Sequence, residues 1–438
     1  MIYQPTRNLV FLFIIFSLCY ISYGKEQKEL QDSPIWYHNL FFKNSSLNFE
    51  TLGVIGTTYG QGADIGESIS TVRKVSPNKL ITWYTEWKRT GARLEKAADK
   101  YNKAGHVQSA RTAYFRACSY YGKSGFYLNG TENTPKAVDS YKKAVKCFKS
   151  AIINLPNIKP VNIPYKGTTL PGYLLIAQDA SKAVPTLIVN TGFDGTKETT
   201  YFEMGNEALS RGYNCLIFEG PGQGEAVWGR HLYFRPDWEV VVSAAIDFLE
   251  NSKDIKVSKI ALMGRSMGGY LAPRAAAFDK RIDACIANGG IYSFAAPMLK
   301  NFPPEMIKLL ENDPQKFNME INDYLKKGVI ETNWFFNNGF WTFGVKTPSE
   351  FLTRIQLYTL KGLVDKIKCP TLVVESTDDM FTGDQAKVLY DKLKCKKTYM
   401  VFGDRDDGEA HCQLGALAVS NERIFNWLDT TFDYNINK

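Results

Sequence analysis

A serine between two glycines, in the run Gly264-Arg265-Ser266-Met267-Gly268, is the part of the sequence with the clearest chemistry. An apolar run at 260–263 precedes it and a helix-like run at 270–277 follows, which predicts a strand, a sharp turn and a helix. In such a turn the glycines avoid clashes with neighbouring backbone, and the serine hydroxyl points out of the sheet. The Met267 amide at the helix start would stabilise an anion on a substrate carbonyl. Ser266 is therefore a candidate nucleophile.

A serine nucleophile needs a base, and the pentapeptide alone would arise by chance in roughly one chain in ten of this length. The chain has four histidines, and only His411 follows Ser266. On a parallel sheet, the acid and the histidine follow the serine in the order Ser, Asp or Glu, His. A lone histidine in a loop is usually an ordinary surface residue. His411, however, stands between the last predicted strand and the last predicted helix, where this order requires the base.

The acid is expected just beyond the penultimate strand, predicted at Thr371 to Glu375. Two adjacent aspartates, Asp378 and Asp379, follow this strand. A carboxylate there would accept the proton of one imidazole nitrogen and leave the other nitrogen free to deprotonate the serine. The offset from the strand end favours Asp378, and Asp379 is the alternative.

A second donor to the anion is expected in the loop after an early central strand. The strand predicted at 186–190 is followed by Thr191-Gly192-Phe193-Asp194-Gly195, and the glycines let backbone amides approach a substrate oxygen. We choose the Phe193 amide. The other glycine-rich run, 219–224, does not match G-x-G-x-x-G and lacks a clear following helix, so it is interpreted as a turn rather than a dinucleotide site.

The elements around these residues predict the fold class. Residues 25–157 are helical in character, with apolar residues spaced three to four apart. Strands are then predicted at 161–165, 170–176, 186–190, 214–218, 259–263, 284–287, 371–375 and 398–402. Because helices alternate with these strands, the sheet should be mostly parallel and covered on both faces.

This pattern predicts an α/β-hydrolase fold over residues 158–438, with a helical insertion at about 292–364 before the strand that carries the acid. Residues 25–157 would form an N-terminal helical cap. A peptide-binding helical repeat is less favoured for this segment, because only one clear helical hairpin and no sustained period are present.

The start of the chain predicts a secretory signal peptide at residues 1–24. Arg7, an apolar run of about ten residues and the small residues Ser22 and Gly24 fit that pattern. The protein is therefore expected to be secreted or lumenal, including lysosomal, and an uncleaved signal anchor that tethers it to a membrane is the minority alternative. The formal charge of +8 comes from lysines scattered among acids, which argues against a nucleic-acid partner.

The cysteines and sequons give weaker indications. Seven cysteines remain after Gly24, without the spacing of a zinc site or a disulfide scaffold. Cys369 and Cys395 precede two neighbouring predicted strands, so a disulfide between them is a hypothesis. Glycosylation sequons start at Asn44 and Asn129.

With these motifs placed, the sequence resembles a group of α/β-hydrolases: bacterial 2,6-dihydropseudooxynicotine hydrolase, fungal polyketide-shortening hydrolases of pigment pathways and, more distantly, the fermentation-respiration-switch esterases. The shared segments lie at 104–106, 109–110, 116–117, 192–195, 219–225, 235–238, 264–269, 369–372 and 411–413. The resemblance implies Ser266, Asp378 and His411 as a triad beneath a helical cap. It also implies hydrolysis of esters or of carbon–carbon bonds next to carbonyls, although the relatives act inside cells and this chain carries a leader.

The sequence thus predicts a serine hydrolase for a small apolar or aromatic substrate, with no cofactor and no metal. The aromatic residues at 334–336, 340, 341 and 343 suggest an apolar pocket wall, although such residues are more often core. The alternatives are a non-catalytic binding protein on the same scaffold and a serine peptidase, which lacks support because no propeller-like repeat precedes the core. The oligomeric state, monomer or homodimer, is left open.

Overall fold

The computed structural model describes residues 35–177 and 182–436. The predicted signal peptide lies outside these residues. None of the helices in the two described stretches has the length and apolar character needed to cross a membrane.

The described chain begins with helices that are built around large aromatic residues. The helix Ile81–Lys103 buries Trp83, Trp87, Leu94 and Ala98 along one face, at the three-to-four spacing of an amphipathic helix. The helix Val107–Ser124 packs against this helix and against the helix Thr134–Ile152. The five helices are Ser45–Gly56 (α1), Ile65–Val72 (α2), Ile81–Lys103 (α3), Val107–Ser124 (α4) and Thr134–Ile152 (α5), with 3₁₀ turns at Thr57–Gly60 and Phe126–Leu128.

An eight-stranded sheet follows. The strands are Ile158–Tyr165 (β1), Thr168–Leu175 (β2), Ala183–Asn190 (β3), Asn214–Phe218 (β4), Lys256–Arg265 (β5), Ala284–Asn288 (β6), Thr371–Ser376 (β7) and Lys397–Phe402 (β8). Their order in the sheet is β1-β2-β4-β3-β5-β6-β7-β8. Strands β1, β2 and β4 pair antiparallel, and in this order the pairs from β4 through β8 are parallel. All eight lie where the sequence predicts them, and the α/β-hydrolase fold is confirmed.

Helices cover both faces of the sheet and fill the predicted insertion between β6 and β7. In chain order they are Lys197–Thr200 (α6), Asn206–Ser210 (α7), Gly224–Trp228 (α8), Glu239–Glu250 (α9), Gly268–Phe278 (α10), Ala296–Leu299 (α11), Pro304–Asn312 (α12), Pro314–Leu325 (α13), Ile330–Phe343 (α14), Pro348–Ile355 (α15), Gln385–Lys392 (α16) and Leu417–Phe432 (α17). A π-helical segment, Tyr201–Gly205, joins α6 to α7.

The glycine-rich run at 219–224 does lead into a helix, α8, contrary to the sequence interpretation. The first residue of this run, Glu219, belongs to a buried charge cluster. The Lys197 ammonium lies 3.1 Å from carboxylate oxygens of both Glu198 and Glu219. Glu219 also accepts a short hydrogen bond from Tyr141 of α5. The cluster therefore links the N-terminal helices to the sheet through groups that are almost completely buried.

The predicted disulfide is absent, because Cys369 and Cys395 are both free thiols in the structure. The Cys395 thiol instead lies 3.5 Å from the Thr371 hydroxyl. Burial and the neighbouring Cys395 raise the pKa of Cys369 to about 11. The two thiols are thus neighbours, as expected, without being bonded.

The asparagines of the two sequons are engaged in contacts within the protein. Asn44 caps helix α1 by accepting a hydrogen bond from the Leu47 amide, and its Nδ2 donates to Glu331 at 2.9 Å. Asn129 Nδ2 lies 3.4 Å from Asn338 Oδ1. A glycan at either site would replace a contact with α14, so glycosylation stays a prediction that the packing does not favour.

Candidate active site

Ser266 lies at the turn between strand β5 and helix α10, as the sequence predicts. Its backbone is in the left-handed region, with φ of 57°, which costs energy in a residue with a side chain. The Ser266 amide donates to the carbonyl of Asn288 at 2.9 Å, which fixes this conformation. A side chain at Gly264 would overlap the carbonyl of Gly268. The sequence at this turn is therefore constrained by close backbone approach.

His411 begins a single 3₁₀ turn, His411–Gln413, between β8 and α17. Its Nδ1 lies 2.6 Å from the Oδ2 of Asp379, and the two side chains are 6% and 3% exposed. Burial alone would lower the pKa of His411, but the charges of Asp379 and Cys412 and the hydrogen bonds to both side chains together outweigh it and hold that pKa well above its usual value. For Asp379 burial raises the pKa, yet His411, Thr382 and the Phe381 amide together hold it below its usual value.

Asp379, not Asp378, is thus the carboxylate beside His411, and the preference drawn from the sequence is corrected. The Asp378 amide donates to the Glu409 carbonyl at 3.0 Å. Its carboxylate faces the N-terminal segment, where it accepts a short hydrogen bond from the Tyr37 hydroxyl. The Nε2 of His38 lies 2.6 Å from the same oxygen. Asp378 is therefore occupied by residues that the sequence argument did not consider.

The structure brings His411 to Ser266. A methyl group placed on Gly289 would lie 3.3 Å from Cε1 of His411 and 3.6 Å from Cα of Ser266, so both residues adjoin the same glycine. The Cys412 sulfur lies 3.5 Å from His411 Nε2 and 3.2 Å from the Ser266 amide nitrogen. The imidazole nitrogen that would act as base therefore faces the serine turn.

Arg265, the residue before the serine, ties these loops together. Its guanidinium forms a short ion pair with Glu203 and donates to the Cys412 carbonyl at 3.1 Å. Both Arg265 and Glu203 are nearly buried. The side chain before the serine therefore fixes the turn that presents His411. Sequence reasoning assigned no role to Arg265.

The two predicted anion donors lie beside the serine. A methyl group on Gly192 would lie 2.8 Å from Cβ of Ser266 and 3.0 Å from the Met267 amide nitrogen. The loop that carries Phe193 therefore touches the serine turn. Within residues 35–177 and 182–436, neither the Met267 amide nor the Phe193 amide donates to a backbone acceptor. The Phe193 carbonyl is held by Asn338 Nδ2 at 3.2 Å.

Ser266 and His411 open on a cavity of about 540 Å³. Two parts of its lining are named by their chemistry. The part that we call the aromatic lining comes mostly from the insertion and comprises Phe294, Phe302, Trp334, Phe335, Phe336 and Phe381. The part that we call the polar lining comes from α1, α4, the loop after β3 and α6, and comprises Glu50, Ser119, Lys123, Asp194, Thr196 and Thr199.

The predicted aromatic wall is only half in the cavity. Trp334, Phe335 and Phe336 line it, whereas Phe343 is buried between Phe234 and Tyr358 in the core. Helix α14 therefore presents its first turns to the cavity and its last turn to the hydrophobic core.

The polar lining was not predicted. Lys123 of α4 forms a short ion pair with Glu50 of α1, and Asp194 lies close enough to raise the pKa of Glu50, after burial as the main cause. Charged side chains from α1, from α4 and from the loop after β3 thus meet in one cavity. No local sequence pattern marks residues that are brought together only by tertiary packing.

Comparison with known proteins supports the fold and the enzyme class. The chain is 30% identical over 419 residues to the α/β-hydrolase xenA of Xenoacremonium sinensis, a match that covers 90% of this chain and 98% of the relative. The chain belongs to the α/β-hydrolase family. This hydrolase is also 33% identical over 410 residues to a 20-hydroxy-prefusarin hydrolase of Gibberella moniliformis, covering 89% of this chain and 97% of that one.

A family model described as BAAT / Acyl-CoA thioester hydrolase C terminal matches residues 242–340 of the hydrolase. Among solved structures, 2,6-dihydroxy-pseudo-oxynicotine hydrolase aligns with a TM-score of 0.67 at 21% identity, covering 87% of this chain and 96% of that one. This likeness concerns the fold. The resemblance predicted from the motifs is confirmed, and the protein is an enzyme of the hydrolase class.

Proposed function

We propose that this enzyme is a serine hydrolase in which Ser266, His411 and Asp379 form the catalytic triad. The observation that supports it best is the buried contact of 2.6 Å between His411 Nδ1 and Asp379, in a histidine that adjoins the serine turn. Asp379 accepts the Nδ1 proton, which leaves Nε2 able to take the proton of the Ser266 hydroxyl. This assignment replaces the triad with Asp378.

In the first half of the reaction the Ser266 oxygen attacks the substrate carbonyl carbon while His411 takes the hydroxyl proton. The amides of Met267 and Phe193 stabilise the negative oxygen. The bond to the leaving group then breaks, and His411 protonates the leaving group. Water attacks the resulting acyl-serine with His411 as base, which releases the acid and restores Ser266.

The leaving group decides the reaction class. An ester releases an alkoxide, which His411 protonates directly. Cleavage of a carbon–carbon bond releases a carbanion, which needs a neighbouring carbonyl to delocalise its charge. Both reactions stay in the proposal, because a relative such as the 20-hydroxy-prefusarin hydrolase is named as a hydrolase without the type of bond that it cleaves. The substrate is a small molecule whose apolar or aromatic part fits the aromatic lining.

The N-terminal helices act as a cap in this proposal. Residues of α1 and α4, including Phe49 and Lys123, line the same cavity as Ser266. Phe126, in the 3₁₀ turn after α4, stacks on Trp334 of the insertion, with ring centroids 4.9 Å apart. The substrate would therefore be enclosed between the helices and the sheet, which excludes water during the first half of the reaction. Secretion directed by the leader remains part of the proposal.

Labelling with a fluorophosphonate probe tests the nucleophile. Wild-type protein should be labelled, and Ser266→Ala should not be. The control is Ser210→Ala, because Ser210 is exposed at the end of α7 and lies outside the cavity lining. Turnover of a short acyl ester and of a β-diketone, measured in parallel, separates ester hydrolysis from carbon–carbon hydrolysis.

The opposite result is equally clear. If folded wild-type protein is not labelled and neither compound is turned over, the proposed triad is wrong. If Ser266→Ala is labelled as strongly as wild type, the nucleophile is another residue.

A further inference from the structure

Among the three ionisable residues of the polar lining, Lys123 and Glu50 pair with each other, which leaves Asp194 outside the pair. Asp194 lines the cavity, and its side chain is exposed because it faces this open space. Within the described ranges, no other side chain forms a hydrogen bond or ion pair with the Asp194 carboxylate. The backbone amide of Asp194 itself donates to this carboxylate. Lys123, the nearby cation, is paired with Glu50 instead.

The position of Asp194 places it within reach of a bound substrate. It directly follows Phe193, the proposed anion donor, so the two Cα atoms are about 3.8 Å apart. His411 and Lys123 are near enough to affect its charge. A substrate whose carbonyl oxygen meets the Phe193 amide must therefore pass close to this carboxylate.

The surrounding protein atoms displace part of the water around this carboxylate. This desolvation raises the pKa of Asp194, while Lys123 and His411 partly oppose the effect. A carboxylate without a side-chain donor, in a cavity that is lined largely by aromatic residues, gains free energy from a ligand that brings a donor. A purely apolar ligand would instead displace water from Asp194 and offer nothing in return.

We propose that Asp194 is a specificity-determining residue that binds a hydrogen-bond donor of the substrate, either a hydroxyl or a protonated amine. The substrate is then amphiphilic: its apolar part contacts the aromatic lining, its donor contacts Asp194, and the scissile carbonyl lies at Ser266. This inference rests on the proposed function, because it takes the cavity at Ser266 as the substrate site.

A matched set of small aryl esters tests it. The esters carry a hydroxymethyl, aminomethyl or ethyl group at the far end of the ring, on either the acyl or the leaving-group side. The ethyl group has the size of the hydroxymethyl group but no donor. Wild type should favour the two donor-bearing esters over the ethyl ester by about 10- to 100-fold in kcat/KM, the range of a hydrogen bond to a charged group.

Variants assign the preference to Asp194. Asp194→Asn should lose the preference for the aminomethyl ester, because the amide has no negative charge, and Asp194→Leu should lose both preferences. Asp365→Asn is the control, because Asp365 is exposed and outside the cavity lining, and it should keep both. Circular dichroism and fluorophosphonate labelling establish that each variant is folded with an active serine.

Binding to the Ser266→Ala protein separates this inference from the proposed function. The same esters are not turned over there, so calorimetry gives their Kd values directly. Tighter binding of the donor-bearing esters, by the same 10- to 100-fold, supports the role of Asp194 even if the wild-type protein turns over none of them. Equal binding of all three esters, or a preference that survives Asp194→Leu, overturns it.

Discussion

Replacing the two adjacent aspartates one at a time gives the sharpest test of the active site. Asp379→Asn keeps the size of the side chain but removes the charge that faces His411 at 2.6 Å. The imidazolium that forms when Ser266 gives up its proton then lacks its buried partner. Losing one partner of a buried charge pair costs about 3–5 kcal/mol.

At about 1.4 kcal/mol for each factor of ten, this loss corresponds to a decrease of about 10²- to 10⁴-fold in kcat. The same change at Asp378 should have a much smaller effect. Asp378 and its partner His38 are 31% and 18% exposed, so water screens their interaction, and exposed ion pairs contribute about 0–1 kcal/mol. Asp378→Asn should therefore lower kcat by less than about tenfold.

The assay is steady-state turnover of a short acyl ester, with the rate of fluorophosphonate labelling as an independent measure of serine reactivity. Both measures should fall in Asp379→Asn and remain near wild type in Asp378→Asn. Near-normal activity in Asp379→Asn together with a loss of 100-fold or more in Asp378→Asn would refute the assignment. The preference drawn from the sequence would then have been right.

Three further predictions concern pH, stability and the anion site. Because the pKa of His411 is raised above 6.5 and only the neutral ring acts as a base, kcat/KM should rise with pH through a pKa above that value. Asp379→Asn should move this acid limb to lower pH. A wild-type pH–rate profile whose acid limb lies below 6.5 would contradict the prediction. Lys197→Met leaves Glu198 and Glu219 buried without their cation, so urea unfolding should show a decrease of about 3–5 kcal/mol in the free energy of unfolding. The decrease should be smaller in mild acid, because burial already raises the pKa of Glu219. A decrease under 1 kcal/mol would show that the cluster contributes little to stability. Gly192→Ala places a methyl group 2.8 Å from Cβ of Ser266, so kcat should fall by about 10²- to 10³-fold, the cost of losing one anion donor. If the folded Gly192→Ala variant turns over substrate as fast as wild type, this loop is not part of the anion site.

The fold was predictable because its signals are local. Alternating buried strands and helices, such as the wholly buried strand Asn214–Phe218, are visible as apolar runs. The order of Ser266 and His411 along the chain also follows from sheet topology alone. Periodicity and order therefore predicted the framework and the approximate place of each candidate residue.

Choosing between Asp378 and Asp379 required tertiary information. The two residues are identical in type and adjacent, and which one faces His411 depends on the bridge that pairs Asp378 with Ala410. The competing partner Tyr37 lies 341 residues away along the chain. An offset counted from a strand end cannot detect such a partner.

The polar lining and the cluster at Lys197 were missed for a related reason. Glu50 and Lys123 are 73 residues apart and form their pair only because α1 and α4 are packed over the sheet. Each taken alone is an ordinary charged residue on a helix. Buried ion pairs between distant elements leave no periodic signal in the sequence.

The contact of His38 with Asp378 also joins the start of the described chain to the loop that carries Asp379. The two residues are 340 positions apart, and closing a loop of that length costs about 5 kcal/mol in chain entropy, apart from a constant. During synthesis, the segment around His38 must wait for the aspartate pair to emerge before the active-site loop is fully supported. Recovery of turnover during refolding should therefore lag behind the recovery of helical circular dichroism, because the helices of the cap form from local contacts and the proposed triad joins Ser266, Asp379 and His411 from separate parts of the chain.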